Sequence, residues 1–181
     1  GHVDRPLHWA RHLLRIRDLQ VSTRGFTEFV PLPFVAMEPP IYRRGAARAG
    51  PTFRGAVLMH AVARLALHPL ITNIQVSWVK MGPEGARACL AAGANDLGGT
   101  LMNESISRAA GTQHGQEFPP AAMEALIRAA GRIPAQRTTR YAAVDAERHE
   151  RALHATALAP VVQAPARRHA NIAVIKPTSA F

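Results

Sequence analysis

Two groups of polar side chains lie where the sequence predicts that short strands end. In the first, Gln75, Ser77 and Val79 alternate along a predicted strand, which would place two uncharged hydrogen-bonding groups on one face about 7 Å apart. Lys80 follows at the end of that strand. Such a pair suits a polar heterocycle or the carboxylate of an amino acid. The alternative is that Gln75 and Ser77 face solvent on an edge strand, although the strands of a parallel barrel have no solvated face.

The second group surrounds a pair of glycines after a very short predicted strand. Gly98 and Gly99 would let backbone N–H groups approach a ligand closely. The pattern is neither the dinucleotide fingerprint nor a P-loop, because no Gly-Lys-Ser/Thr follows. We expect substrate contacts from the polar residues that flank the glycines, namely Asn95, Asp96, Thr100 and Glu104.

Histidine and cysteine offer little metal chemistry. His8 and His12 have the spacing of a helical zinc pair, but no Glu follows the first and no third ligand is near, so we expect ordinary, partly exposed histidines. His114 lies in a glycine-flanked loop and is a better candidate for a substrate contact. The single cysteine, Cys89, sits in an Ala-rich helical pattern and is expected to be a buried structural thiol. No acid or base can be assigned from the pattern.

The net charge of +10 invites a nucleic-acid hypothesis. Only Lys80 and Lys176 are lysines, the arginines are scattered among alanines, and aromatic residues make up 6% of the chain. A stacking platform for bases is therefore not indicated, and nucleic-acid binding is the weaker alternative. No apolar run approaches the ~18 residues that cross a bilayer, so we expect no membrane association and a cytoplasmic protein.

The order of elements predicts an α/β fold. Strand, loop and helix recur three times, with helices at 7–20, 53–68, 85–92 and 119–130 and strands at 26–32, 73–79 and 94–97. Such alternation is typical of βαβ units with a parallel sheet. The breaker-rich stretch 34–52 is expected to be a functional loop without a regular element.

The length limits what this fold can be. The 181 residues fall short of the roughly 250 of a complete β/α barrel, so we predict about three βα units of a TIM-type barrel in residues 1–141. Residues 142–181 are rich in Ala, Pro and Arg and are expected to form a poorly ordered, mobile tail. The pattern allows one short helix in it, near 145–157.

Five ordered segments resemble one enzyme family. They are GHVD at 1–4, IRDLQ at 16–20, GFTEFVPLPF at 25–34, NIQVSWVKMG at 73–82 and GANDLGGTLMNE at 93–104. Together they are similar to the tyrosine-utilising half of FO synthase, a radical S-adenosylmethionine enzyme, over about residues 1–141. The aminofutalosine-type enzymes of menaquinone synthesis share a similar pattern. Asp4 departs from the Glu expected there, and the Cys-x-x-x-Cys-x-x-Cys loop of such enzymes is absent from this chain.

The resemblance implies the C-terminal part of a radical S-adenosylmethionine barrel. The implied reaction couples a 4-hydroxybenzyl unit from L-tyrosine to 5-amino-6-(D-ribitylamino)uracil in the synthesis of coenzyme F-420. The implied cofactors are S-adenosylmethionine and a four-iron four-sulfur cluster whose ligands lie outside this chain, on an N-terminal half or subunit. His2 and Asp4 would lie near the adenosyl group. The residues implied to orient the substrates are Gln75, Ser77, Lys80, Asn95, Asp96, Thr100 and Glu104.

Two other functions remain open from the sequence. Without the cluster-binding half the chain is expected to be inactive, and it would then be a non-catalytic binding partner or a remnant that keeps the fold. A menaquinone-pathway relative is the second alternative.

Overall fold

Helices dominate the part of the chain that can be described. The computed structural model describes residues 1–159, which form seven helices and two short strands. In chain order these are α1 (Pro6–Thr23), β1 (Glu28–Phe29), α2 (Pro40–Arg43), α3 (Phe53–Leu67), β2 (Asn73–Ile74), α4 (Trp78–Ala91), α5 (Ser105–Ala109), α6 (Pro120–Ala129) and α7 (Ala146–Leu153).

The sheet is small and parallel. Glu28 pairs with Asn73 and Phe29 with Ile74. A third segment joins on the other side of β2 through a parallel bridge between Gln75 and Asp96. Its backbone bonds run in both directions, from Asn95 N–H to the Ile74 carbonyl at 3.0 Å and from Val76 N–H to the Asp96 carbonyl at 2.9 Å. Three parallel segments in series confirm the α/β prediction at this coarse level.

Two apolar clusters hold the helices against one face of the sheet. The first joins α1 and α3 to the strands, with Leu13, Phe29, Ala63, Leu67, Ile71 and Ile74 buried. The second joins α4 and α6 to the third segment, with Val76, Trp78, Val79, Ala86, Cys89, Leu90, Ala94, Leu97 and Phe118 buried. Burial of apolar area on this scale is the main stabilising term in such a domain. The prediction that Cys89 is a buried structural thiol is confirmed.

Helix α4 corrects the predicted strand at 73–79. The helix begins at Trp78, so Val79 and Lys80 are helical and Val79 does not share a strand face with Gln75. Trp78 and Val79 are 1% and 3% exposed, and their burial in the second apolar cluster, where Trp78 packs against Phe118, overrides the alternating pattern. A break at Gly82, whose φ is +68°, followed by Pro83 separates this first turn from the helix predicted at 85–92.

The other differences are smaller. The predicted strand 26–32 pairs only over Glu28–Phe29, because Pro31 and Pro33 have no N–H to donate to a ladder. The loop at 34–52 contains the four-residue helix α2, contrary to the expectation of no regular element. The third predicted strand is reduced to the single Asp96 bridge.

The last described helix is the one that the pattern allowed near 145–157. The Asp145 carboxylate accepts a hydrogen bond from Arg148 N–H at 2.7 Å and so caps α7. His149 contacts Glu124 of α6 at 2.5 Å and docks the helix. The part of the predicted tail beyond residue 159 lies outside the described residues, and the boundary at Tyr141 stays a prediction. Within residues 1–159 no helix has the length and apolarity to cross a membrane.

Candidate functional site

The two faces of the sheet differ in chemistry. Side chains alternate along a strand, and paired residues of parallel strands point the same way. Phe29, Ile74 and Val76 therefore share the face that is buried against the helices. The opposite face carries polar side chains from all three segments, namely Glu28, Asn73, Gln75 and Asp96. We call this the polar sheet face.

Arg137 and Tyr141 cover part of the polar sheet face. Arg137 donates its Nε–H to Asp96 at 2.5 Å, and its guanidinium lies 3.7 Å from Glu28. The Tyr141 hydroxyl donates to the same Glu28 carboxylate. The guanidinium also stacks 4.1 Å from the centre of the Tyr141 ring, which adds a cation–π contact. We call Arg137 and Tyr141 the clamp, since together they join the ends of two strand segments.

The clamp residues were missed by sequence reasoning. They sit after α6 in a segment without periodicity, and one sequence contains no signal that pairs them with carboxylates more than 40 positions away. Tyr141 adopts a left-handed φ of +61°, which costs a non-glycine residue about 1 kcal/mol. Its side-chain contacts hold this conformation. Burial and the Glu28 bond raise the pKa of Tyr141, and the bond to Asp96 raises the pKa of Arg137.

Gln75 lies in the middle of the polar sheet face beneath a tight turn. The turn is closed by Asp96, whose second carboxylate oxygen accepts from Gly98 N–H at 2.6 Å. A Cβ on Gly98 would lie 2.9 Å from the Gln75 amide nitrogen, and the φ there is +70°. Glycine is therefore required by the Gln75 side chain as well as by the backbone. The neighbouring Gly99 carbonyl accepts from the Trp78 indole at 2.9 Å.

Lys80 and Glu104 both make hydrogen bonds to the short helix α5. The Lys80 ammonium donates to the Ser107 hydroxyl at 2.8 Å, which braces α4 against α5. The Glu104 carboxylate accepts from Ile106 and Ser107 N–H groups and caps α5. Ser77 is buried immediately before α4. Its carbonyl accepts from Lys80 N–H at 3.1 Å.

The structure does not bring Asn95 to the polar sheet face. Its neighbour Asp96 lies on that face, so Asn95 points to the helix side. There its amide oxygen accepts from Arg64 of α3 at 2.7 Å and from Ile74 N–H at 2.9 Å. The same guanidinium binds the carbonyls of Thr72 and Gly93 at 2.8 and 2.7 Å, just before the two strand segments begin. Asn95 thus belongs to a backbone brace at the opposite end of the sheet from the loops.

His2 and Asp4, which precede α1, lie close to the residues that follow β1. The Asp4 carboxylate lines a cleft of about 190 Å³ whose other walls include Trp9, Phe29 and Pro31. The Asp4 carboxylate accepts a hydrogen bond from the Gly1 nitrogen at 2.6 Å. His2 is half-buried and packs its ring 5.1 Å from the Phe34 ring. Thr100, the remaining predicted contact, accepts from Phe118 N–H at 3.3 Å through its carbonyl.

Within the described residues, Cys89 and the histidines do not form a metal-binding site. Burial raises the pKa of the Cys89 thiol to about 11, so the thiolate that a metal needs is disfavoured. His8 and His12 are exposed, and His114 packs beside Gly82, where a Cβ would lie 2.7 Å from its ring. Between residues 1 and 159 no three His, Cys, Asp or Glu side chains are grouped closely enough to hold a metal ion.

Comparison with known proteins identifies the family. Residues 23–150 match the family described as the CofH/MqnC C-terminal region. The chain therefore belongs to the CofH/MqnC C-terminal region family, and the predicted resemblance to FO synthase is confirmed.

Named relatives agree with this family. The chain is 56% identical over 141 residues to the 5-amino-6-(D-ribitylamino)uracil--L-tyrosine 4-hydroxyphenyl transferase of Methanopyrus kandleri, covering 78% of the chain and 38% of that protein. It is 55% identical over 142 residues to the FO synthase of Mycobacterium leprae, covering 78% of the chain and 16% of that protein. With the FO synthase of Streptomyces avermitilis the identity is 49% over 166 residues, covering 90% and 19%. The chain thus spans less than two fifths of the length of these relatives.

Proposed function

We propose that this chain is the C-terminal part of an FO synthase-type radical enzyme. That enzyme couples a 4-hydroxybenzyl unit derived from L-tyrosine to 5-amino-6-(D-ribitylamino)uracil on the route to coenzyme F-420. The names of the relatives support this reaction over the menaquinone branch. The observation that carries the proposal is the two-faced sheet, which buries one face under helices and lines the other with carboxylates and amides. A β/α barrel encloses its inner face in this way.

A larger barrel would contain these segments as about three of its βα units, in residues 1–141. Within residues 1–159, β1 pairs only with β2 and the third segment only with β2, so the outer edge of each is open. Helix α1 also exposes a row of apolar side chains that are spaced two turns apart. Leu7, Leu14 and Val21 in this row are 58%, 45% and 62% exposed. Open edges and an apolar helix row both favour a neighbouring part of the barrel. The N-terminal half is the partner that we propose for them.

The chain's own residues would bind and orient the substrates. Gln75 offers an amide on the polar sheet face. Asp96, whose carboxylate oxygens accept from Arg137 and from Gly98 N–H, would hold the turn over Gln75, and Ser77, Lys80, Thr100 and Glu104 would support the surrounding loops. Asn95 is left out of this set, because its amide oxygen is already used by Arg64 and Ile74. Orienting two substrates and excluding water is the contribution that radical coupling requires from a protein wall.

Of the two implied cofactors, S-adenosylmethionine fits residues of this chain, whereas the iron–sulfur cluster does not. The cleft beside Asp4 combines a carboxylate for ribose hydroxyls with aromatic and proline walls, so Asp4, with His2 nearby, would hold the adenosyl group. The single cysteine is buried with a raised pKa and does not fit a cluster ligand, so the cluster would be held by the N-terminal half. S-adenosylmethionine and the cluster together would supply the radical that activates L-tyrosine.

A complementation assay tests the proposal. The chain is co-expressed with the cluster-binding N-terminal half of a related FO synthase, iron and sulfide are reconstituted anaerobically, and tyrosine-dependent 5′-deoxyadenosine is measured. We expect formation by the mixture and by neither half alone. Gln75→Ala should lower it, whereas Arg151→Ala, on the exposed side of α7, should not. Two halves that associate but show no tyrosine-dependent turnover would refute the proposal.

A further inference from the structure

A second cavity, of about 520 Å³, lies between the loop after β1 and the loop after α5. Its size is in the range of small-molecule sites. Its lining differs from that of the cleft beside Asp4, because glycine backbone and polar side chains form it, without an aromatic or aliphatic side chain among the residues described. The side chains are Glu38, Arg108, Thr112, Gln113 and Gln116.

The walls of this cavity are fixed by contacts between the two loops. The Glu38 N–H donates to the Ala110 carbonyl at 3.1 Å. A Cβ on Gly111, whose φ is +108°, would lie 2.6 Å from the Met37 side chain, so the loops approach as closely as glycine permits. The Lys80 ammonium holds Ser107 from the other side at 2.8 Å. Segments that follow β1 and the third strand segment therefore line this cavity, and Lys80 from the segment after β2 braces the short helix that leads into it.

One buried polar atom in the lining has no partner. Thr112 is 7% exposed, and its hydroxyl makes no hydrogen bond within residues 1–159. A buried hydroxyl without a partner costs about 1–3 kcal/mol, so such atoms in native proteins call for an explanation. Arg108 has only its Nε engaged, to the Glu104 carbonyl at 3.1 Å, which leaves its terminal nitrogens for a ligand. A residue with a buried, unpartnered hydroxyl and a residue with unengaged guanidinium nitrogens thus line the same cavity.

We propose that this cavity binds a polyhydroxyl chain, the D-ribityl chain of the aminouracil substrate, so the inference rests on the proposed function. A polyol offers both donors and acceptors, which suits the unpartnered Thr112 hydroxyl, the terminal nitrogens of Arg108 and the Glu38 oxygen that Arg43 does not engage. A flat ring would find no surface to stack on. The Glu38 carboxylate, which is ion-paired with Arg43, places a negative charge in the same lining as Arg108 and so disfavours a simple anion.

Calorimetric titration of the full chain with 5-nitro-6-(D-ribitylamino)uracil, an oxygen-stable analogue, tests this site. We expect saturable binding that Thr112→Val and Arg108→Gln each weaken about tenfold or more, the loss of one or two hydrogen bonds. Thr112→Val removes an unpartnered hydroxyl without changing side-chain volume, so its thermal stability should equal or exceed that of the wild type. 5-Nitro-6-(methylamino)uracil, which lacks the polyol, should bind at least tenfold more weakly and be indifferent to Thr112→Val.

Three results would contradict the proposal that this cavity binds the ribityl chain. They are no saturable binding by the wild type, binding that both variants retain, or displacement of the analogue by inorganic phosphate in an Arg108-dependent manner, which would mark an anion site. The complementation assay separates this failure from that of the proposed function. An active mixture whose KM for the aminouracil is unchanged by Thr112→Val refutes the cavity alone. Thr112-dependent binding with no activity in the mixture refutes the reaction alone.

Discussion

Arg137 and Asp96, 41 positions apart, are joined at 2.5 Å, and this pair connects the segment after α6 to the end of the third strand segment. The Asp96 side chain is 9% exposed and that of Arg137 is 26% exposed, so the pair is largely shielded from water. The same Asp96 carboxylate closes the turn at Gly98 over Gln75. The shape of the polar sheet face therefore depends on a residue that lies outside every strand and helix.

Replacing Arg137 should destabilise the fold. Arg137→Ala leaves the Asp96 carboxylate with only Gly98 N–H as a partner, and loss of a hydrogen bond to a charged group costs about 1.5–3 kcal/mol. Urea denaturation measures the free energy of unfolding. Arg151→Ala is the matched control, because its ion pair with Glu147 is exposed and should contribute less than about 1 kcal/mol. Equal losses in the two variants would contradict a structural role for the clamp.

Tyr141 should make stability depend on alkaline pH. Its pKa is raised above the ordinary 10.0 by burial and by the Glu28 bond, so the folded state favours the neutral phenol. The contribution is fully present below the unfolded pKa and is lost as pH rises above 10.0 toward the folded pKa. We expect Tyr141→Phe to be less stable by about 1 kcal/mol at neutral pH and to show a shallower alkaline decline. Parallel alkaline declines in the two proteins would exclude this linkage.

His60 should make the stability of the fold depend on pH in the acid range. It is 1% exposed, its Nδ1 bonds the Ala56 carbonyl at 2.8 Å, and its Nε2 makes no well-formed hydrogen bond within the described chain. Burial lowers the pKa of His60 below 6.5, so below that pH the unfolded chain takes up a proton that the folded chain does not. Stability should therefore fall as pH drops through 6.5. Thermal melts of His60→Leu between neutral and mildly acidic pH should show a smaller fall than the wild type; an equal slope would contradict this assignment.

Substitutions at Asn95 and Gln75 should affect different properties. The first should lower the stability of the fold, and the second should weaken substrate binding. Asn95→Ala removes an acceptor for Arg64 and Ile74 N–H, and we expect a loss of about 1–3 kcal/mol with an unchanged KM for L-tyrosine in the complemented enzyme. Gln75→Ala should raise a substrate KM. Denaturation and steady-state kinetics on the same preparations give both quantities. A raised KM with full stability in Asn95→Ala would return Asn95 to the substrate site.

Local patterns were sufficient for most of the fold. Helices were predicted at 7–20 and 53–68 from apolar residues at helical spacing and at 119–130 from its place after a loop, and they correspond to α1, α3 and α6, each of which has a Pro or Thr at its start. The start of α4 was wrong because Trp78 and Val79 follow a strand directly and their burial is a tertiary effect. Motif resemblance found the family, which periodicity alone could not.

The candidate site was less predictable for a physical reason. Strand alternation led to Gln75 and the neighbouring glycine pair led to Asp96; both lie on the polar sheet face, and their roles in substrate binding stay predictions. The sequence proposed Asn95 together with Asp96, but neighbouring residues of a strand point to opposite faces, so only Asp96 lies on the polar sheet face. The clamp depends on contacts between distant segments, and no local pattern encodes them.

The transfer of an isotopic label tests the central claim most directly. Ring-labelled L-tyrosine and 5-amino-6-(D-ribitylamino)uracil are supplied to the chain together with the reconstituted N-terminal half of a related FO synthase, and the aminouracil is analysed by mass spectrometry. We predict a labelled 4-hydroxybenzyl adduct that is formed only when both halves are present and that is diminished by Gln75→Ala. An active N-terminal half that gives the same adduct without this chain, or a stable complex that gives none, would contradict the claim.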